Sequence, residues 1–253
     1  MRFCAVRMLA VTVLLSASVG AAAPPGAALP GANWAAIAQL PDWGGVWQLD
    51  FRKSFAGGPP AKPALTPAAA AAYQLFVAEK AAGKHSQSTT ANCVPPGLPD
   101  SMAQPYPIEF LFTPGKVTVA IEAYGLMRRI FTDGRALPAD PDPAFQGYSV
   151  GHWTADGTLI VDTVGFDPVI TIAEGIHQQQ MRVHEEIRLI DPDHLAVKTT
   201  ITDPAVLAQP FERTMTYARK RNWDIKEYVC LQNNHDAADP FGNPSMTLQD
   251  HKS

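Results

Sequence analysis

The segment Met181–Leu189 places an ionisable side chain among aliphatic ones. Its odd positions are Met181, Val183, Glu185, Ile187 and Leu189, and its even positions Arg182, His184, Glu186 and Arg188 are all polar. Strand side chains alternate between faces with period two, so Glu185 is predicted to point inward, alone among hydrophobic neighbours. By the same alternation Arg129 shares a face with Met127 and Phe131, Arg213 with Phe211, Met215 and Tyr217, and His152 with Val150. A buried carboxylate without a partner costs several kcal/mol, so inward charges imply one of two arrangements. Either an Arg–Glu–Arg cluster fills the interior as a structural network, or the charges form a polar patch in a ligand cavity. In the second arrangement Glu185 is the proton-transfer group, and Arg129 and Arg213 receive an oxyanion, carboxylate or phenolate.

Other constellations carry less chemistry. Gly147-Tyr148-Ser149-Val150-Gly151 matches the Gly-x-Ser-x-Gly pattern of serine hydrolases, with Asp162 and His177 following in a suitable order. That nucleophile turn joins a strand to a helix. Here the residues run on into His152-Trp153, a turn and a further strand, so the two glycines read as a strand entry. His177, His184 and His194 with Glu185 or Glu186 contain no His-x-His or His-Glu-x-x-His spacing, and alternation puts His184 on the face opposite Glu185. Neither a metal nor a cofactor is expected. His177, in the loop entering the Glu185 strand, is placed to overhang a barrel mouth and is the second catalytic candidate. Asp140-Pro141-Asp142-Pro143 lacks the ligand spacing of a calcium loop and reads as a stiff turn.

The elements that must hold these residues are mostly strands. Apolar alternation predicts strands at Gly45–Phe51 (with Trp47, Leu49 and Phe51 on one face), Pro107–Thr113, Lys116–Tyr124, Leu126–Thr132, Tyr148–Thr154, Gly157–Thr163, Gln180–Ile190, His194–Thr202, Phe211–Arg219 and Lys226–Leu231. Turn residues punctuate them: Pro114-Gly115, Asp133-Gly134, Asp156-Gly157, Asp191-Pro192-Asp193 and Asp203-Pro204. One clear helix is predicted over 66–83, with Thr66 as N-cap, Pro67 in the first position and Gly83 as the stop. A short helical turn is expected in Trp34–Leu40. About ten strands joined by short turns describe an antiparallel meander, and closing it removes exposed edges. The expected fold is therefore an all-β antiparallel barrel, calycin-like, with one N-terminal helix.

The chain opens with Arg2 and Arg7, an apolar run from Met8 to Val19, and small residues at 20–23. This is the order of a secretory signal, with cleavage expected after Ala21 or Ala23 and no membrane span retained. The organisation then reads as signal peptide 1–21, linker 22–33, barrel 34–235 and flexible tail 236–253, in a periplasmic or secreted protein. Beyond the leader two cysteines remain, Cys93 and Cys230. In an oxidising compartment they are expected to form one disulfide, with two buried free thiols as the alternative. A net charge of −4, without basic clusters, argues against nucleic acid as a partner.

Arg129-Ile130-Phe131-Thr132-Asp133-Gly134-Arg135, Gly147–Trp153, Leu159–Phe166, Asp203-Pro204 and Glu227-Tyr228-Val229-Cys230 stand in the order seen in a large group of secreted bacterial proteins of unknown function. Over roughly residues 40–235 the chain resembles that group, which implies an exported β-rich fold and no activity. The group's pattern around the Glu185 strand resembles H-x-E-x-L-H-x-x-E-R. His177 and Glu185 match its first histidine and last glutamate, while Gln179, Arg182 and Glu186 depart from it. Together these place Glu185, His177, Arg129 and Asp133 in the expected polar cavity. The function expected is binding of a small, partly apolar molecule, anionic or phenolic, inside the barrel, with cofactor-independent lyase or isomerase chemistry. A non-catalytic carrier or sensor and a structural envelope protein are the alternatives.

Overall fold

In the computed structural model, which describes residues 29–58, 61–84 and 93–230, the alternating segments become strands. They are β1 (Val46–Leu49), β2 (Ile108–Thr113), β3 (Lys116–Ile121), β4 (Leu126–Phe131), β5 (Tyr148–Trp153), β6 (Leu159–Val164), β7 (Thr171–Ala173), β8 (Ile176–His177), β9 (Arg182–Asp191), β10 (His194–Thr202) and β11 (Phe211–Lys220). The expected signal peptide, residues 22–28 of the linker, residues 231–235 of the expected barrel domain and the C-terminal tail lie outside the described residues.

Nine strands close a barrel in the order β1-β11-β10-β9-β6-β5-β4-β3-β2, with β2 returning to β1. Each junction is antiparallel except β4–β5. That pair is parallel and held by only two residue pairs, Ile130↔Ser149 and Phe131↔Val150. Residues 132–147 carry the chain back across the barrel between these strands, which the expectation of a uniform meander missed. Two further departures are local. Residues 226–230 form no strand, and β7 and β8 form a separate small hairpin.

Among the described residues three α-helices lie outside the barrel. Asn33 caps α1 (Trp34–Ile37), and Asp50 caps α2 (Phe51–Ser54) by accepting from the Lys53 amide at 3.0 Å. The turn into α2 ends β1 at Leu49, so Phe51 is exposed instead of continuing the face of Trp47 and Leu49. The predicted long helix is α3 (Pro67–Ala81), and the Thr66 hydroxyl accepts from the Ala69 amide. None of its residues is buried.

The interior is filled from both ends. At one end Trp43 packs against Phe110, Phe112 and Trp153, with ring centroids between 5.0 and 5.7 Å apart. At the other, Leu98 and Met102 enter beside a 3-10 turn, Asp100–Ala103, and are buried. Small barrels commonly pack this way. Gly151 marks the tight middle, because a Cβ there would stand 2.8 Å from the Ile160 carbonyl and 3.0 Å from the Ile130 side chain. Cys93 and Cys230 form the expected disulfide, across 137 residues of sequence, with Cα atoms 5.7 Å apart. Among the described residues no helix is long and apolar enough to cross a membrane.

Candidate functional site

Glu185 sits where the alternation of β9 puts it. Met181, Val183 and Ile187 are buried on the same face, and Glu185 itself is 1% exposed. Across the sheet it lies between Val161 of β6 and Thr199 of β10, and Thr199 in turn pairs with Arg213 of β11. Glu185, Thr199 and Arg213 thus form one polar row across three adjacent strands.

Its ion-pair partner comes from the far side of the barrel. Arg128 of β4, fully buried, reaches past β5 and β6 and engages both carboxylate oxygens. Nη1 donates to Oε1 at 3.1 Å, and Nη2 donates to Oε2 in a shorter contact. Nη2 also lies 3.4 Å from the Ser149 hydroxyl and 3.3 Å from that of Thr163, and those two hydroxyls are 2.8 Å apart. Forked guanidinium–carboxylate pairing is the strong form of charge-assisted hydrogen bond. In a dry interior it offsets the desolvation of two ions without adding much net stability.

The polar band extends to Arg213 and Tyr217. Arg213 is mostly buried and pairs with Asp100 at 2.8 Å. The Tyr217 hydroxyl donates to the Met102 carbonyl. Burial drives the Tyr217 phenol well above its ordinary range, and Glu185 pushes the same way against Arg213 and Arg128. The Nε–H groups of Arg128 and Arg213 are both buried with no acceptor among the described residues.

Several expected site residues lie elsewhere. Arg129 is exposed, because β4 turns Arg128 and Ile130 inward and Met127 and Arg129 outward. His152 is exposed because β5 buries Ser149 and Trp153 and so directs Val150 and His152 away from the interior. Asp133 belongs to an exposed turn, where the Arg135 guanidinium beside it holds its carboxyl below the usual range. His177 is exposed on β8. Of the expected cavity residues only Glu185 and Arg213 face the interior, each paired with a different partner.

Arg128, Ser149, Thr163 and Tyr217 complete the group. The signal for Ser149 and Thr163 was their place on alternating strands, but a hydroxyl on a short strand reads equally well as a solvent-facing residue. The Ser149 hydroxyl is committed to Thr163 and Arg128 within β5, with no strand-to-helix turn. This fits the strand-entry reading of its Gly-x-Ser-x-Gly sequence. His184 pairs with Asp162 on the outer face at 2.8 Å, and no group of three or more metal-ligating side chains occurs among the described residues. No family model, curated protein or solved structure matches the chain.

Proposed function

We propose that this is an exported protein that binds a small, partly apolar molecule with an anionic or phenolic group, acting as a carrier or sensor. The supporting observation is the interior band itself. Two buried guanidinium groups lie on it, each with an Nε–H that lacks an acceptor among the described residues. An unmet buried donor costs about 1–3 kcal/mol, and a guest oxygen would satisfy it. The guest enters by displacing one of the two packed ends, and its apolar part takes the place of those side chains. The disulfide and the leader-like N-terminus support a periplasmic or secreted location.

Lyase or isomerase chemistry is the less favoured form of this reading. A catalytic carboxylate must present an oxygen to its substrate, and both oxygens of Glu185 are held by Arg128. That closed pair favours, as a second reading, a barrel whose internal charges serve only its architecture.

The test is mass spectrometry of a metabolite extract incubated with the mature protein and then desalted. Binding predicts that one compound stays with the wild type unchanged and is lost from Arg128→Met. Removing one partner of a buried pair costs about 3–5 kcal/mol, so the doubly apolar Arg128→Met/Glu185→Leu serves as the folded control. It should melt near the wild type and retain nothing. A compound consumed by the wild type but not by Glu185→Gln would establish the enzyme reading instead. Retention of no compound by the wild type would leave the pair structural.

A further inference from the structure

Beyond β11 the described residues, which end at Cys230, stay against the barrel. Residues 221–230 fold back beside β1 and the connections at 105–107 and 122–124, and are fastened at three points. The Lys226 amide donates to the Glu122 carboxylate at 2.7 Å. The Tyr228 ring packs against Tyr106 and Tyr124, with centroids 5.3 and 5.0 Å away. Cys230 is bonded to Cys93. Between this strap and the wall lies a pocket of about 410 Å³, lined by Gln48, Tyr106, Glu122, Trp223, Asp224 and Lys226 among others. Its size falls at the lower end of small-ligand sites, roughly 300–1,000 Å³.

The chemistry of the lining is specific. Trp223 is 48% exposed, an aromatic surface that water covers at a cost. Around it stand carboxylates from Glu122 and Asp224, amides from Gln48 and Asn222, and the Lys226 ammonium. Acceptors and donors are therefore interleaved around an aromatic platform. Two carboxylates against one ammonium disfavour a multiply charged anion. With Lys220, whose ammonium lies 5.4 Å from the centre of the Trp223 ring, two cations balance the two carboxylates, so the surroundings favour no net charge on the guest. A neutral ligand remains, with one apolar face and a ring of hydroxyls that both donate and accept.

We propose that the pocket between the 221–230 strap and the barrel wall binds a neutral saccharide, one sugar face on Trp223 and its hydroxyls on Glu122, Asp224, Asn222 and Gln48. This site is separate from the Arg128–Glu185 band and does not depend on what that band binds.

The experiment is titration of the mature protein with glucose, N-acetylglucosamine and their β-1,4-linked disaccharides into the tens of millimolar, read by tryptophan fluorescence and calorimetry. At least one should saturate. Trp223→Ala, at a half-exposed position, should leave the melting temperature unchanged and weaken binding about tenfold, the upper range for one aromatic contact. Asp224→Asn should weaken it less, and glucuronate should bind more weakly than glucose. Absence of saturation with every neutral sugar overturns the proposal. So does saturation that Trp223→Ala leaves intact, or tighter binding of glucuronate.

Discussion

Tyr217 sits among opposing charges as a neutral donor. Burial raises its phenol above the value of about 10 that it has in an unfolded chain. Above that pH the unfolded chain releases a proton that the folded one retains, so unfolding is favoured increasingly as pH rises. Stability present in full below pH 10 is lost on the way to the folded-state pKa. The protein should unfold in alkali with a coincident rise in tyrosinate absorbance. Tyr217→Phe should flatten that dependence while costing about 1–3 kcal/mol at neutral pH, where the Met102 carbonyl loses its donor. An unchanged alkaline profile would move the effect to Tyr106 and Tyr228, whose phenols burial also raises. At this scale Glu185 was legible because its strand has one apolar and one polar face. Arg128 was not, since Leu126-Met127-Arg128-Arg129-Ile130-Phe131 offers apolar residues and an arginine on both faces. Pairing with β3 and the reach to Glu185 decide between faces that alternation leaves equal.

Among the elements, β5 shows why an inward face need not look hydrophobic. It turns Ser149, Gly151 and Trp153 toward the interior because Ile130 and the Arg128 side chain occupy the space beside the first two. Small residues there are a packing requirement, and His152 with Val150 takes the outside. Gly151→Ala should therefore destabilise by about 1–3 kcal/mol through overcrowding, read as a lower melting temperature. A melting temperature at or above that of the wild type would mean the wall yields there. The run of strands and the capped helix α3 were legible because turn residues and a Thr-Pro start are local signals. The parallel β4–β5 junction was not, since it depends on the path of residues 132–147 and no local pattern marks such a crossing.

For the whole molecule, composition and turn spacing implied a closed β-barrel, and the pair of cysteines implied one long covalent loop. The plugs at the two ends could not be read, because Trp43 at one and Leu98 and Met102 at the other come from segments outside the strands. The loop-closure estimate for the Cys93–Cys230 bond is about 4–5 kcal/mol, as an upper figure. Denaturation with and without reductant should show a lower midpoint in the reduced protein, and the Cys93→Ala/Cys230→Ala variant should match it. Equal midpoints would mean that the strap holds without its bond.

The same bond divides the barrel unequally. It encloses β2 through β11 in one covalent ring and leaves β1 alone outside, although β1 closes the wall by pairing with both β2 and β11. The protein is thus built in effect from two pieces, a stapled body and a first strand that pairing and packing alone hold in the wall. Withdrawal of that segment would bare two edges already held as neighbours, which are templates for the same segment from another chain. Exchange of the first strand between copies, by the route of domain swapping, is the association to which this architecture is most open.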